Sequence, residues 1–111
     1  MALLAGCGGG ASTAPPAGST KVSMTEFKFT PSDIQVPAGK VVFYVVNDGN
    51  GTSHDMVIRD STGKIIGKSE LVSAGDSTVF TVDNIAAGTY TFFCDQAGHE
   101  ASGMHGILAV T

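Results

Sequence analysis

Basic residues are scarce in this chain: 6 Lys and Arg face 10 Asp and Glu, giving a formal net charge of −4. They form no cluster, so nucleic-acid binding lacks its electrostatic footprint. No apolar run approaches the ~20 residues that span a bilayer as a helix. No segment sustains a 3.6-residue period, which argues against amphipathic helices. Tryptophan is absent, and cysteine occurs only twice. Cys7 lies in "LLAGCGGG" and Cys94 ends an aromatic run, surroundings so unlike that a disulfide between them is not expected. What is present is glycine, at 15 copies, and a 42% share of hydrophobic residues. That composition is globular, and its short apolar runs broken by turns suggest many strands. A length of 111 residues accommodates one domain.

The first 20 residues read separately from the rest. Leu4-Ala5-Gly6-Cys7 resembles the lipobox of bacterial lipoproteins, in which the cysteine thiol is lipidated. The resemblance implies export and a membrane anchor at Cys7, with residues 1–7 a shortened signal. "GGGASTAPPAGST", residues 8–20, holds no charge and no large apolar group. It reads as a flexible linker with a span of roughly 20 Å. Residues 21–111 are the expected folded domain.

Within it, "KVSMTEFKF" reads as one strand whose change of parity near Glu26 suggests a bulge. "DIQV" is a short strand, and "KVVFYVVN" a central strand buried on both faces. "HDMVIRD", "DSTVFTVDNI", "TYTFFC" and "GILAVT" follow as strands, while "IIGKSELVSAG" is ambiguous. About eight strands at this spacing predict an all-β, antiparallel Greek-key sandwich or barrel. Met24 and Met56 read as core residues.

The candidate chemistry lies in three histidines, one cysteine and one methionine. His54 opens a strand after the loop "DGNGTS". Cys94 ends "TYTFFC", and His99 and Met104 follow it at intervals of five. Taken singly, each has a plain reading: Cys94 a buried thiol, His54 and His99 turn or loop residues, Met104 core packing. Taken together, all four fall at strand–loop junctions, and strand ends gather at the poles of a Greek-key sandwich. Two imidazoles, one thiolate and a weak axial thioether are the ligand set of blue-copper electron-transfer sites. Zinc seldom takes a thioether, and calcium and magnesium require oxygen. His105, directly after Met104, reads as a non-ligand.

"YTFFCDQAGHEASGMHGILAV" resembles the C-terminal metal loop of the cupredoxin family. The gap between Cys94 and His99 is like that of azurin. The gap between His99 and Met104 is one residue longer than azurin's and is similar to that of the auracyanins. "GTSHDMVI" matches the family's upstream ligand segment at His54. The resemblance implies a mononuclear type 1 copper site of His54, Cys94, His99 and Met104. It also implies one-electron transfer through a partly exposed His99, and a structural tyrosine corner at Tyr90. Ala97, Gly98, Ala101 and Gly103 are small and uncharged, and fit a flat patch for brief docking of a redox partner. They fit a tight loop equally well. Asp55 and Asp95 stand where many cupredoxins carry Asn and Ser or Thr. Either the two carboxyl groups share a proton, or Asp55 accepts backbone N–H groups and Asp95 faces water. The expected protein is a monomeric electron carrier of the cell envelope rather than an enzyme, since only His105 is spare for a second metal cluster. A copper chaperone or storage protein is the alternative.

Overall fold

The computed structural model describes residues 14–111, and Cys7, the lipobox and the first part of the linker lie outside them. Nine strands run in chain order: β1 (Thr20–Thr25), β2 (Lys28–Thr30), β3 (Asp33–Val36), β4 (Gly39–Asn47), β5 (Val57–Arg59), β6 (Ile65–Lys68), β7 (Ser77–Ile85), β8 (Gly88–Phe93) and β9 (His105–Val110). They form two sheets, β2-β1-β4-β7 and β3-β9-β8-β5-β6. No helix among the described residues is long and apolar enough to cross a membrane.

The all-β sandwich is as expected, but its sheets are mixed rather than antiparallel. β1 pairs in parallel with β4, and β3 with β9. Two strand readings also change. "KVSMTEFKF" is not one bulged strand but a hairpin, with β1 and β2 antiparallel about Glu26 and Phe27. The change of parity marked a reversal of the chain. β4, expected to be buried on both faces, alternates: Val41, Phe43 and Val45 are buried, while Val42, Tyr44 and Val46 are half-exposed. The outer face carries apolar residues because β4 lies between two partners in a one-sided sheet, where β-branched and aromatic side chains pack well on the pleat.

Val22, Met24, Phe29, Phe43, Phe92 and Leu108 belong to the core between the sheets, joined by the buried Met56. Phe29 and Phe92 meet edge-on at 4.9 Å between ring centroids. Tyr90 donates from its hydroxyl to the Ala86 carbonyl at 2.7 Å, four residues back, which pins the turn before β8. Because β1 and β4 are parallel, both end at one pole. Contacts of their exit loops with the residues after β8 put the end of that strand at the same pole.

Candidate metal centre

His54 is placed by the loop that leaves β4. Asn47, the last residue of β4, is fully buried, and its Nδ2 donates to the carbonyls of Thr52 and Val72, both at 2.9 Å. Its Oδ1 accepts the N–H of Gly49 at 2.9 Å. The backbone of His54 then pairs in both directions with Val72, at 3.0 and 2.8 Å. The His54 ring, itself fully buried, is thereby fixed beneath the pole.

Cys94, His99 and Met104 sit on one closed loop between β8 and β9. The Cys94 N–H donates to the Met104 carbonyl at 3.2 Å, and the Met104 N–H to the His99 carbonyl at 3.1 Å. Successive turns bridge the interval, with Gly98 at φ 82°, where a side chain would be strained. Arg59 of β5 holds the outer side of the loop through an ion pair to Glu100 and lies 4.2 Å from the centre of the Phe93 ring. Cys94 and Met104 are fully buried, and His99 is half-buried.

Three donor atoms converge. His54 Nδ1 is 3.2 Å from His99 Nδ1, and Cys94 Sγ is 3.4 Å from His99 Nδ1 and 4.0 Å from His54 Nδ1. The centre of that triangle lies about 2.1 Å from each atom, at a metal–imidazole bond length and about 0.2 Å short of a metal–thiolate one. Met104 is buried on the same loop and tied by its backbone to both Cys94 and His99. His54, Cys94, His99 and Met104 form a site suited to copper. Burial disfavours charge here: it lowers the His54 pKa, against the pull of Glu26, and raises that of the Cys94 thiol. A cation among the three atoms would offset the cost of a buried thiolate.

The sequence matches the family described as a cupredoxin-like domain over residues 1–110. The chain belongs to the cupredoxin-like family. Solved cupredoxins share the fold. Auracyanin from the photosynthetic bacterium Roseiflexus castenholzii superposes with a TM-score of 0.75 at 21% identity, covering 87% of this chain and 99% of that one. Auracyanin B gives 0.75 at 24% identity, covering 94% and 96%. Plastocyanin from Dryopteris crassirhizoma gives 0.62 at 27% identity, covering 83% and 100%. No curated protein sequence matches the chain.

The remaining candidate residues fall around the cupredoxin site. Asp55 is buried and its Oδ1 accepts the Asp95 N–H at 2.9 Å. Asp95 does not simply face water: it pairs with Lys68 at 2.8 Å. The two carboxyl groups also interact. Burial, and then the Asp95 carboxylate, push Asp55 up to about 6, while Asp55 and Lys68 hold Asp95 low. Ala97, Gly98, Ala101 and Gly103 are all exposed beside His99. His105 starts β9, exposed and outside the cluster.

Besides Asn47, sequence reasoning missed two residues, both in the β1–β2 turn. The Phe27 ring packs 4.8 Å from the His99 ring and is 38% exposed. Glu26 reaches His54 Nε2 at 3.2 Å. Its pKa falls to about 2, chiefly through the Thr52 hydroxyl and then the Asn50 N–H. The only signal for either was the change of parity at Glu26, which places a turn but not the face it covers.

Proposed function

We propose that this cupredoxin is a mononuclear type 1 copper electron carrier, not an enzyme, working in the cell envelope. The observation that carries the reading is the convergence of His54 Nδ1, His99 Nδ1 and Cys94 Sγ within 3.2–4.0 Å. Auracyanin A from Chloroflexus aurantiacus, a neighbour in fold at 21% identity, is a "blue" copper protein. That likeness supports the choice of metal.

Copper, when bound, supplies a one-electron Cu(II)/Cu(I) change. The residues of the chain supply the rest. His54, His99 and Cys94 offer the three strong donors, and Met104 a weak thioether. The backbone bonds that tie Cys94, His99 and Met104 into one loop keep the donors from moving, as fast transfer between oxidation states requires. Burial of Cys94 and His54 excludes water. His99, half-buried beneath Phe27, is the donor nearest the surface. Ala97, Gly98, Ala101, Gly103 and Phe27, exposed near it, are uncharged and suit brief docking of a redox partner. By its resemblance to a lipobox, Cys7 carries a lipid that holds the monomer at a membrane on the outer side.

The test is to add Cu(II) to the purified chain. The expected result is an intense visible thiolate-to-copper absorption, with one ion bound per chain, abolished in Cys94→Ser. A colourless, fully copper-loaded and oxidised protein would overturn the proposal.

A further inference from the structure

One contact reaches the back of the donor set from outside it. His54 presents Nδ1 to Cys94 and His99, and its other nitrogen to two acceptors. Nε2 lies 3.2 Å from Glu26 Oε2 and 3.2 Å from Thr52 Oγ1. The Thr52 hydroxyl hydrogen is already committed, since Oγ1 donates to Glu26 Oε2 at 2.7 Å. Nε2 therefore faces a carboxylate, which only accepts, and a hydroxyl oxygen whose proton points elsewhere. It must be the donor. The ring is then held with hydrogen on Nε2 and a bare lone pair on Nδ1, the form a metal ligand needs.

The surroundings of the carboxylate are built to keep it there. Asn50 donates its N–H to Glu26 Oε1 at 3.1 Å. At Gly49 a Cβ would fall within 3 Å of the Glu26 carboxylate, so the absence of a side chain there lets the group sit against the loop without moving aside. The side chain is 27% exposed, while the ring it touches is fully buried.

We infer that Glu26 is a positioning residue for the metal centre: it fixes the His54 tautomer and sets a negative charge behind a ligand imidazole. Ligating histidines commonly donate their second N–H to a carboxylate or carbonyl, and losing that partner typically costs about 10–100-fold in metal affinity. A carboxylate in this place also favours the more highly charged oxidation state. This inference rests on the reading of the site as a copper centre.

Two measurements test it. In the copper-loaded full chain, Glu26→Gln and Glu26→Ala are expected to weaken the preference for Cu(II) over Cu(I) by about tenfold, a rise of about 59 mV in a one-electron potential. Glu26→Ala should also lower Cu(II) affinity about tenfold in competition with a chelator. Ser23→Ala, which removes the Ser23 bond to Asp48 in the same loop and touches neither Glu26 nor His54, serves as the structural control. Potentials unchanged in both Glu26 variants, or shifted as far in Ser23→Ala, would overturn the inference. In the metal-free chain, nitrogen-15 NMR should show His54 protonated at Nε2 alone, and a mixture of tautomers in Glu26→Ala. A parent ring carrying its hydrogen on Nδ1 would overturn the inference whatever the metal. A parent lacking the visible absorption would instead count against the copper reading, and the tautomer measurement would stand on its own.

Discussion

Asp55 Oδ1 accepts the backbone N–H of Asp95 at 2.9 Å, and this bond joins the two halves of the metal site. Asp55 follows His54 and Asp95 follows Cys94, so one hydrogen bond sets the distance between ligands 40 positions apart in the chain. Asp55→Ala removes the acceptor and leaves a partly buried N–H unpaired, a loss of about 1–3 kcal/mol. Asp55→Asn keeps a carbonyl oxygen in the same place and should recover most of that. Urea denaturation of the two metal-free variants checks the difference, and equal losses would show that the N–H is not what Asp55 serves.

Arg59 holds the ligand loop from its outer side. Its guanidinium pairs with Glu100, next to His99, while stacking on Phe93. The two side chains are 31% and 38% exposed, so solvent screens the pair. Arg59→Ala should cost about 1 kcal/mol, part of it ionic. The ionic part should vanish in 1 M salt, where the screening length falls to about 3 Å. Urea midpoints of parent and variant at low and high salt measure both parts.

The turn between β5 and β6 carries a pH-dependent contribution well away from the metal. Asp60 Oδ1 accepts the Thr62 hydroxyl at 2.6 Å, the Thr62 N–H at 2.9 Å and the Lys64 N–H at 3.0 Å. These bonds, the Thr62 hydroxyl foremost, hold its pKa below the usual carboxylate value. A folded value below the unfolded one means stability that is present above the unfolded pKa of about 3.9 and lost as pH falls through the folded value. Asp60→Asn should therefore melt below the parent at pH 7, and the gap should close as the pH is taken below about 3.9. Melting curves across that range decide it, since a gap constant with pH would mean the charge is irrelevant.

The ligand residues were legible because the chemistry needs scarce residue types. With one cysteine beyond the lipobox and three histidines in the chain, few sets of four donors exist, and "FFC" followed by His99 and Met104 limits them further. The sandwich was legible from period-2 runs and glycine turns. What stayed hidden depends on pairing between distant strands. Nothing local to β1 announces that it runs parallel to β4, and so nothing announces that Glu26 and Phe27 arrive above His54 and His99. Glu26 in sequence is one carboxylate among 10 acidic residues. Asn47 was equally silent, because an Asn at the end of an apolar run reads as the start of a loop.

Asn47 organises that loop from beneath. It is fully buried, and its amide makes three hydrogen bonds, to the Thr52 carbonyl, the Val72 carbonyl and the Gly49 N–H, each at 2.9 Å. The Thr52 bond fixes the residue whose hydroxyl meets both Glu26 and His54. The Val72 bond fixes the segment between β6 and β7 whose backbone pairs with that of His54. Asn47→Ala removes the partner of the partly buried Gly49 N–H and of the Thr52 carbonyl, leaves the Val72 carbonyl with the His54 N–H alone, and opens a cavity of side-chain size. The expected loss is about 2–3 kcal/mol of stability in the metal-free chain. Asn47→Asp should also be costly, because a carboxylate replaces the two N–H donors with acceptors that face carbonyl oxygens. If the loop positions His54, both variants also release Cu(II) to a chelator faster than the parent. Denaturation midpoints report the first effect and release kinetics the second. A variant that loses stability but holds copper as the parent does would confine Asn47 to the scaffold.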